Sequence, residues 1–273
     1  MFNTRKTSGF TLVELSIVLA IVSVFLGMIL LSTEARIAEA KIYSTKEKMQ
    51  VILDALDKYV KTYGALPCPT NITLSRDSAN YGKGLGSNNI NPPGGDPAGA
   101  CIGSITLANF GGTVPITAIL KGGIPFKDLG LDADAVVDGW GNRFTYIINQ
   151  DNTTFISFRS GLNPQFEKIQ LFSDAAATVP IVGNLNGTVT RDRAILLIIS
   201  HGANGYGAYL DKDGSQLGTS GASAPEIANA NSVPISFPPG PSPKFYAITP
   251  NKDFDDIVIY RTRWQFPPYF YQQ

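Results

Sequence analysis

The chain has 273 residues with 22 basic and 22 acidic side chains, and its formal net charge is zero. This balance gives no electrostatic basis for nucleic acid as a partner, and the length suits one medium-sized domain plus an additional segment. With only two cysteines and one histidine, a zinc site of Cys and His ligands is not expected, whereas 27 glycines and 18 prolines indicate long irregular segments.

The N-terminus joins a short polar segment to a long apolar run. Residues 1–9 carry two basic side chains, and residues 10–31 are apolar apart from Glu14 and a few hydroxyl groups. As a helix, residues 10–31 would span about 33 Å, enough to cross a hydrocarbon core of roughly 30 Å. The basic flank favours a cytoplasmic N-terminus, which places everything after Ser32 in a periplasm-like space.

Two common kinds of apolar N-terminal segment compete with this interpretation. A secretory signal peptide has a shorter apolar core followed by a small-x-small cleavage site, and no such site follows this run. An ordinary uncleaved anchor is the other alternative, but it gives Glu14 no role. An ionisable residue inside the membrane costs about 2.5–3.5 kcal/mol on insertion scales, so such a residue usually has a partner.

Residues 8–15 (SGFTLVEL) resemble the class III signal of type IV prepilins and type II secretion pseudopilins. That family has a glycine before the cleavage site, an aromatic residue after it and a glutamate fifth in the mature chain, positions that Gly9, Phe10 and Glu14 occupy. The resemblance implies cleavage after Gly9 by a membrane prepilin peptidase, N-methylation of Phe10 and retention of the apolar helix. The sequence departs from many type IV pilins at Leu31, where they have a helix-breaking proline.

Cleavage at this position gives Glu14 an assembly role. It creates an α-amino cation on Phe10, and in a bundle of parallel helices Glu14 of one subunit can meet the amine of its neighbour. Two buried charges are then neutralised together, whereas one unpaired buried charge is costly. Methylation leaves the amine charged, as it does in lysine.

Apolar residues recur at three- and four-residue spacing up to Tyr63, and Gly64 and Pro67 form a stop signal. The pattern predicts one helix from Phe10 to about Tyr63, with a break near residues 32–33 as the alternative. The predicted organisation is a leader, a transmembrane helix, an amphipathic continuation and a periplasmic domain: 1–9, 10–31, 32–63 and 64–273.

Cys68 and Cys101 flank a segment rich in Gly, Asn, Ser and Pro that has no periodicity. A pair of cysteines in a chain that reaches an oxidising compartment favours one disulfide. Two unpaired thiols in a cytosolic protein are the alternative.

Short strand-like runs follow residue 116. Residues 143–148 and 153–158 flank a turn-rich linker and predict a hairpin, while residues 193–199 and 257–264 predict two further strands. Hairpins without alternating helices indicate an antiparallel sheet. The predicted fold class is therefore α+β, with one long helix packed on an antiparallel sheet, which is also the pilin fold.

Three short segments strengthen the resemblance to major pseudopilins. Residues 138–142 are similar to their D-x-W-G-x segment, residues 200–205 to their S-x-G-x-D-G segment and residues 255–257 to their D-D-I segment. In those proteins the last two frame a calcium site. The resemblance thus makes Asn204, Asp255 and Asp256 candidate calcium ligands, and calcium prefers such oxygen donors. The alternative for this set is a solvated loop, and residues 211–214 are interpreted as a turn.

The function expected from this pattern is structural: a subunit, minor rather than major, of a type IV pilus or type II secretion pseudopilus. Expected partners are prepilin peptidase, other pilin or pseudopilin subunits and an inner-membrane assembly platform. An enzyme is not expected, because the only histidine, His201, follows Ser200 on a strand, where neighbouring side chains point to opposite faces. The alternative is a membrane-anchored periplasmic binding or hydrolytic protein that uses a prepilin-like anchor.

The resemblance yields a prediction about processing. In cells with an active prepilin peptidase, mass spectrometry of the membrane-extracted protein should find residues 1–9 removed and a methylated Phe10 as the N-terminus. Replacing Gly9 with a bulky residue should block cleavage, whereas Gly9→Ala is a mild control. An intact N-terminus in the wild-type chain would contradict the prediction.

Overall fold

The chain forms two compact units, Met1–Tyr43 and Ser44–Gln273. The computed structural model describes residues 9, 11–84, 101, 104–109, 118–153, 169–178, 180–182, 194–231, 244–262 and 265–266. Within these ranges, side chains are described except for 26–33, 106–109, 118, 151, 180, 182 and 231.

Helix α1 runs without interruption from Leu12 to Tyr63. The prediction of one long helix is confirmed, and the alternative with a break at residues 32–33 is wrong. The helix ends where the sequence places its stop signal. Gly64 adopts a left-handed φ of 69°, and its amide donates to the Val60 carbonyl at 2.7 Å, a conformation that glycine accepts at no steric cost.

No helix among the described residues is both long and apolar enough to cross a membrane. The predicted span 10–31 stays a prediction, and Phe10 and the side chains of residues 26–31 lie outside the described part.

The centre of the second unit is a five-stranded sheet in the order β1-β2-β4-β7-β10, with every neighbouring pair antiparallel. Its strands are Ile105–Asn109 (β1), Ala118–Gly123 (β2), Thr145–Asn149 (β4), Ala194–Ser200 (β7) and Ile257–Thr262 (β10). The structure confirms the α+β class and the strands predicted at residues 193–199 and 257–264.

The C-terminal part of α1 packs on one face of this sheet. Alternate side chains of the central strands, such as Tyr146 on β4 and Ile198 on β7, join the core that the helix forms. The helix contributes five buried apolar residues to that core: Met49, Ile52, Leu53, Leu56 and Val60. Because strand side chains alternate between faces, this core uses half of each central strand.

The other half of each strand faces a second layer that the sequence did not predict. Ile147 of β4 and Leu197 of β7 share a second core with Leu171 and Phe245. The layer includes a three-stranded sheet in the order β6-β5-β9, in which β5 and β9 are parallel. Its strands are Gln170–Phe172 (β5), Pro180–Val182 (β6) and Lys244–Tyr246 (β9).

Short elements complete the described part of the chain. Two-residue strands Asn142–Arg143 (β3) and Tyr209–Leu210 (β8) pair with each other. Two short helices are Phe126–Leu129 (α2) and Ala224–Asn231 (α3). The segment 211–214 is a turn, as predicted: Asp213 Oδ1 accepts the Ser215 amide at 2.9 Å.

The predicted hairpin between residues 143–148 and 153–158 is wrong. Strand β4 is paired on both sides, with β2 and β7, so no edge is left for a third partner. Residues 150–153 instead form one turn of 3-10 helix, and residues 154–158 lie outside the described part. A turn-rich linker signals a change of direction but does not specify which strand follows in the sheet.

Cys68 and Cys101 form the disulfide that the sequence predicts, with their Cα atoms 5.5 Å apart. Gly84 approaches the same point: a Cβ at residue 84 would lie 2.2 Å from the Cys68 carbonyl oxygen. Its amide also donates to Asp128 Oδ2 at 2.7 Å. Residues 84 and 101 therefore both lie next to the backbone of Cys68.

The loop that follows Cys68 is fixed to the domain by Arg143. This buried guanidinium donates to the carbonyl oxygens of Ile72, Leu74 and Asp211, each at 2.6 Å. The face of the same group stacks on the ring of Tyr81, with its Cζ 4.7 Å from the ring centroid. The Arg143 side chain thereby joins the loop after Cys68 to the turn that follows β8.

The disulfide closes a loop of 33 residues, so its loss should lower the free energy of unfolding by about 3–4 kcal/mol in the chain-entropy model. Chemical unfolding of the detergent-solubilised full chain, with and without reductant, measures this effect. The variant with both Cys68→Ser and Cys101→Ser should match the reduced wild type and should not respond to reductant. Equal stability of the oxidised and reduced wild type would contradict a stabilising role.

Candidate functional site

The first turn of α1 is closed by a capping box between Thr11 and Glu14. Glu14 Oε2 accepts the backbone amide and the hydroxyl of Thr11, both at 2.9 Å, and the Glu14 amide lies 3.3 Å from Thr11 Oγ1. A Thr-x-x-Glu sequence produces this reciprocal arrangement at helix N-termini. Both local bonds use Oε2, and no donor among the described residues is bonded to Oε1.

This carboxylate lies in the first part of α1, where the large exposed side chains are apolar. Between Leu12 and Phe25, ten large apolar side chains are exposed, by 45% to 86%. They are distributed around the whole helix rather than along one stripe. A helix that is apolar all round belongs in lipid or among other helices.

Gly9, the residue before the predicted cleavage site, is exposed, and no described atom lies within 4 Å of the position that a Cβ would occupy. The described part of the chain therefore imposes no steric need for glycine at this position. Phe10, on the other side of the predicted cut, lies outside the described residues.

A second site lies in the other unit, where three carboxylates converge. Each of Glu226, Asp255 and Asp256 offers one oxygen, and these oxygens lie within 4.8 Å of one another. Asp255 and Asp256 immediately precede β10, and Glu226 lies in the first turn of α3. The sequence predicted the two aspartates and missed the glutamate.

Asn204, the third predicted ligand, lies at the cluster, but its side-chain oxygen is turned to the Tyr206 amide. Its Oδ1 accepts the Tyr206 amide at 2.9 Å, which turns Nδ2 towards Glu226 Oε1 at 2.8 Å. Its backbone amide donates to Asp255 Oδ2 at 2.9 Å. Asn204 therefore holds two of the carboxylates in place by donating hydrogen bonds, and Glu226 supplies the third acidic group.

Glu226 is fixed by a second capping box. Its Oε2 accepts the Ser223 amide at 2.8 Å, and its own amide lies 3.4 Å from Ser223 Oγ. Burial favours the protonated acid, but hydrogen bonds from Ser223, Asn204 and the Asp255 amide outweigh it and lower the pKa of Glu226. The Ser-x-x-Glu spacing was the sequence signal for this residue.

The two aspartates have unpartnered oxygens. Asp256 is buried, and its Oδ2 accepts Asn229 Nδ2 at 2.8 Å. Among the described atoms, Oδ1 of Asp256 and Oδ1 of Asp255 have no hydrogen-bond donor. Burial, together with the neighbouring charges of Asp256 and Glu226, raises the pKa of Asp255. Buried acceptors without donors are costly, so these two oxygens are suited to a bound cation.

The three pseudopilin-like segments meet at this end of the main sheet. Ser200 Oγ donates to Asp138 Oδ2 at 2.7 Å, which joins the first segment to the second. Gly202 has a φ of 62°, and a Cβ there would lie 2.4 Å from the Asp255 carbonyl oxygen, which joins the second to the third. Only glycine allows this close approach without strain.

His201 lies behind Asp256 in a sealed environment. Its Nε2 is 3.2 Å from Thr145 Oγ1, its Nδ1 is 3.6 Å from Asp256 Oδ1, and the side chains of His201 and Asp256 are 0% exposed. A hydroxyl, an imidazole and a carboxylate occur in this order in hydrolases, but a nucleophile there must reach a substrate. Here the three groups form a buried polar network behind the carboxylate cluster.

Comparison with known families gives one match, to the model described as the prokaryotic N-terminal methylation motif, over residues 4–30. No curated protein and no solved structure gives a significant match to the chain. The match covers the capping box of Thr11 and Glu14 and the exposed apolar residues that follow. It supports a pilin-like or pseudopilin-like subunit, and it implies processing by a prepilin peptidase and assembly with other pilin subunits. The N-terminus of this chain thus carries the class III prepilin signal, the hallmark of type IV pilins and pseudopilins.

Proposed function

We propose that the chain is a minor structural subunit of a type IV pilus or a type II secretion pseudopilus. Its single membrane helix would have a cytoplasmic N-terminus before assembly, with the domain in the periplasm. The observation that carries the proposal is the placement of Glu14, whose Oε1 has no donor among the described residues, within residues 12–25 of α1, where ten large apolar side chains are exposed.

Assembly would proceed through this group. Prepilin peptidase would cut after Gly9, a residue for which the described part of the chain has no steric need. The new amine on Phe10 of one subunit would meet Glu14 Oε1 of its neighbour while Oε2 keeps its bonds to Thr11. The pairing neutralises both charges in a medium where neither is tolerated alone, and it fixes the axial stagger between subunits.

The remaining partners would be other filament subunits and an inner-membrane assembly platform. The domain is larger than a typical major pilin requires, and the sequence between residues 75 and 103 is an elaboration. Both features favour a minor subunit.

We also propose that the chain is not an enzyme. In support, its only histidine is fully buried, and the neighbouring Ser200 hydroxyl donates to Asp138 rather than to the imidazole.

A calcium ion is proposed at the carboxylate cluster. Glu226, Asp255 and Asp256 would hold it through carboxylate oxygens, two of which have no donor among the described atoms. The ion would neutralise three converging acidic groups and fix the end of β10 to α3. Calcium suits the site because the donors are all oxygen atoms, which hard cations prefer.

Glu14→Val tests the proposed assembly role. The variant should insert into the membrane and be cleaved, because the residues at the cut are unchanged. It should lose assembly, because removing one member of a buried charge pair costs about 3–5 kcal/mol, or more than two decades in an association constant. Cross-linking to other filament subunits, at matched membrane levels, measures the loss.

Two control variants separate charge from capping and from hydropathy. Glu14→Gln keeps an oxygen for the Thr11 bonds but removes the charge, and it should fail as Glu14→Val does. Ser16→Val makes the same helix turn more apolar and should assemble normally. Wild-type assembly of Glu14→Val would favour the anchored-protein alternative, and assembly of Glu14→Gln would assign the role to the cap rather than to the charge.

Calorimetric titration of the detergent-solubilised full chain with calcium tests the cation site. We expect one saturable binding event, with affinity reduced about 10-fold or more in Asp255→Asn and Asp256→Asn, because each loses a charged donor. Asp213→Asn removes an exposed carboxylate from a nearby turn and should bind as the wild type does. Equal binding by Asp256→Asn and the wild type would exclude this cluster as the site.

A further inference from the structure

We propose that α3 is a cation-controlled element, so that occupancy of the carboxylate cluster and docking of this helix on the domain are coupled. The inference rests on the proposed cation site and goes beyond it, because it concerns which part of the chain the ion orders. Besides the three carboxylates, an independent observation points to a ligand: Asp256 is buried, and its Oδ1 has no hydrogen-bond donor among the described atoms, with His201 Nδ1 3.6 Å away.

The helix has little apolar surface with which to dock. It has eight residues, APEIANAN, and its one large apolar side chain, Ile227, is 38% exposed. The apolar side chains that it buries, Pro225 and Ala230, are small. Helices shorter than about 12 residues are marginal in water by themselves, so the docked position of α3 depends on its specific contacts with the rest of the domain.

Those contacts are polar and lie along the whole helix. At its start, Glu226 lies in the carboxylate cluster. In its middle, Asn229 exchanges two hydrogen bonds with the backbone of Tyr246, at 2.8 and 2.9 Å, and donates to Asp256 Oδ2. At its end, the buried ammonium of Lys121 donates to the Ala230 carbonyl. Two of the attachments named here therefore involve the carboxylates themselves.

Without a cation, the hydrogen bonds that Glu226 accepts from Asn204 Nδ2 and the Asp255 amide favour docking, whereas repulsion among the carboxylates opposes it. Bringing Glu226 to Asp255 and Asp256 places three acidic groups within 4.8 Å of one another, in a setting where Asp256 is buried. Undocking of α3 would move one of them away and relieve the repulsion. With a cation bound, attraction to the ion replaces this repulsion, because the ion takes oxygen donors from both sides.

The coupling follows from mass action. An ion that binds only the docked arrangement raises the ratio of docked to undocked helix by the factor 1 + [L]/Kd, or about 100-fold at 100 times the dissociation constant. By reciprocity, any change that disfavours docking must weaken binding of the ion by the same factor. Glu226 is the carboxylate that lies on α3, so it is the group that couples ion binding to docking.

Hydrogen exchange with mass spectrometry tests the proposal on the detergent-solubilised full chain, with about 5 mM calcium or with a chelator. Amides of residues 224–231 should exchange at least about 10-fold more slowly with calcium, while those of β7 should not change. Glu226→Gln keeps an oxygen for the capping bonds but loses the charge, so it should lose most of the calcium effect. Asp213→Asn is the matched control and should keep it.

Ala230→Leu tests reciprocity without changing charge. Ala230 is fully buried, and a Cβ at Gly207 would lie 2.1 Å from the Ala230 Cβ, so a larger side chain at residue 230 has no room on this side. The variant should bind calcium about 10-fold more weakly although it alters no carboxylate. Unchanged exchange of the β7 amides would show that the domain remains folded.

The outcomes separate the two proposals. Calcium binding in the titration without slower exchange at residues 224–231 would overturn the coupling and leave the cation site intact. Absence of calcium binding by the wild type would overturn both. Wild-type affinity of Ala230→Leu, with α3 undocked in exchange measurements, would overturn the coupling alone.

Discussion

Burial of the central sheet on both faces is the constraint on which the rest of the domain depends. All seven residues of β7 are buried, as are all five of β4. One face is covered by α1, and the other by the second layer that contains β5, β6 and β9. In the part of the chain after β7, Phe245 of β9 joins the core on the second face, and Asn229 of α3 bonds to the backbone of Tyr246.

The double burial also explains the position of the polar groups. The side chains of Thr145 and Lys121 lie on the sheet face that the second layer covers. His201, which follows β7, lies on the same face. If the sheet were covered only on its other face, these three side chains would be exposed to water. In the buried setting each needs a partner: Thr145 and His201 meet each other, and Lys121 meets the end of α3. Burial lowers the pKa of Lys121 to about 8. The second layer is therefore held by polar contacts as well as by its small apolar core.

The sequence predicted the elements whose signals are long and local. Helix α1 has a stop signal at Gly64, and β7 and β10 are extended apolar or alternating runs. The second layer escaped prediction because its strands have three residues each, too few for a period, and because β7 is apolar throughout and so gave no indication of which face was exposed. The wrong hairpin had the same origin: local turn chemistry does not determine which strands become neighbours.

At the candidate sites, too, residues within one short motif were predicted from the sequence, whereas residues that only the fold brings together were not. Gly9, Phe10 and Glu14 lie in one short motif, and the adjacent Asp255 and Asp256 were found by resemblance. Glu226 comes from a distant helix, and only the fold brings it to the aspartates. Asn204 was expected as a ligand from its position in the motif, but the direction of its amide is set by the Tyr206 backbone, a contact that composition and spacing do not encode.

The approach of Gly84 and Cys101 to a single backbone position at Cys68 bears on how this domain tolerates changes in length. When the two ends of a segment lie beside the same residue, a change in its length does not change the distance that the segment must span. Doubling the number of residues in a flexible loop adds only about 0.6 kcal/mol of closure entropy. An insertion, a deletion or a grafted peptide between residues 84 and 101 would therefore leave the positions of the two ends unchanged.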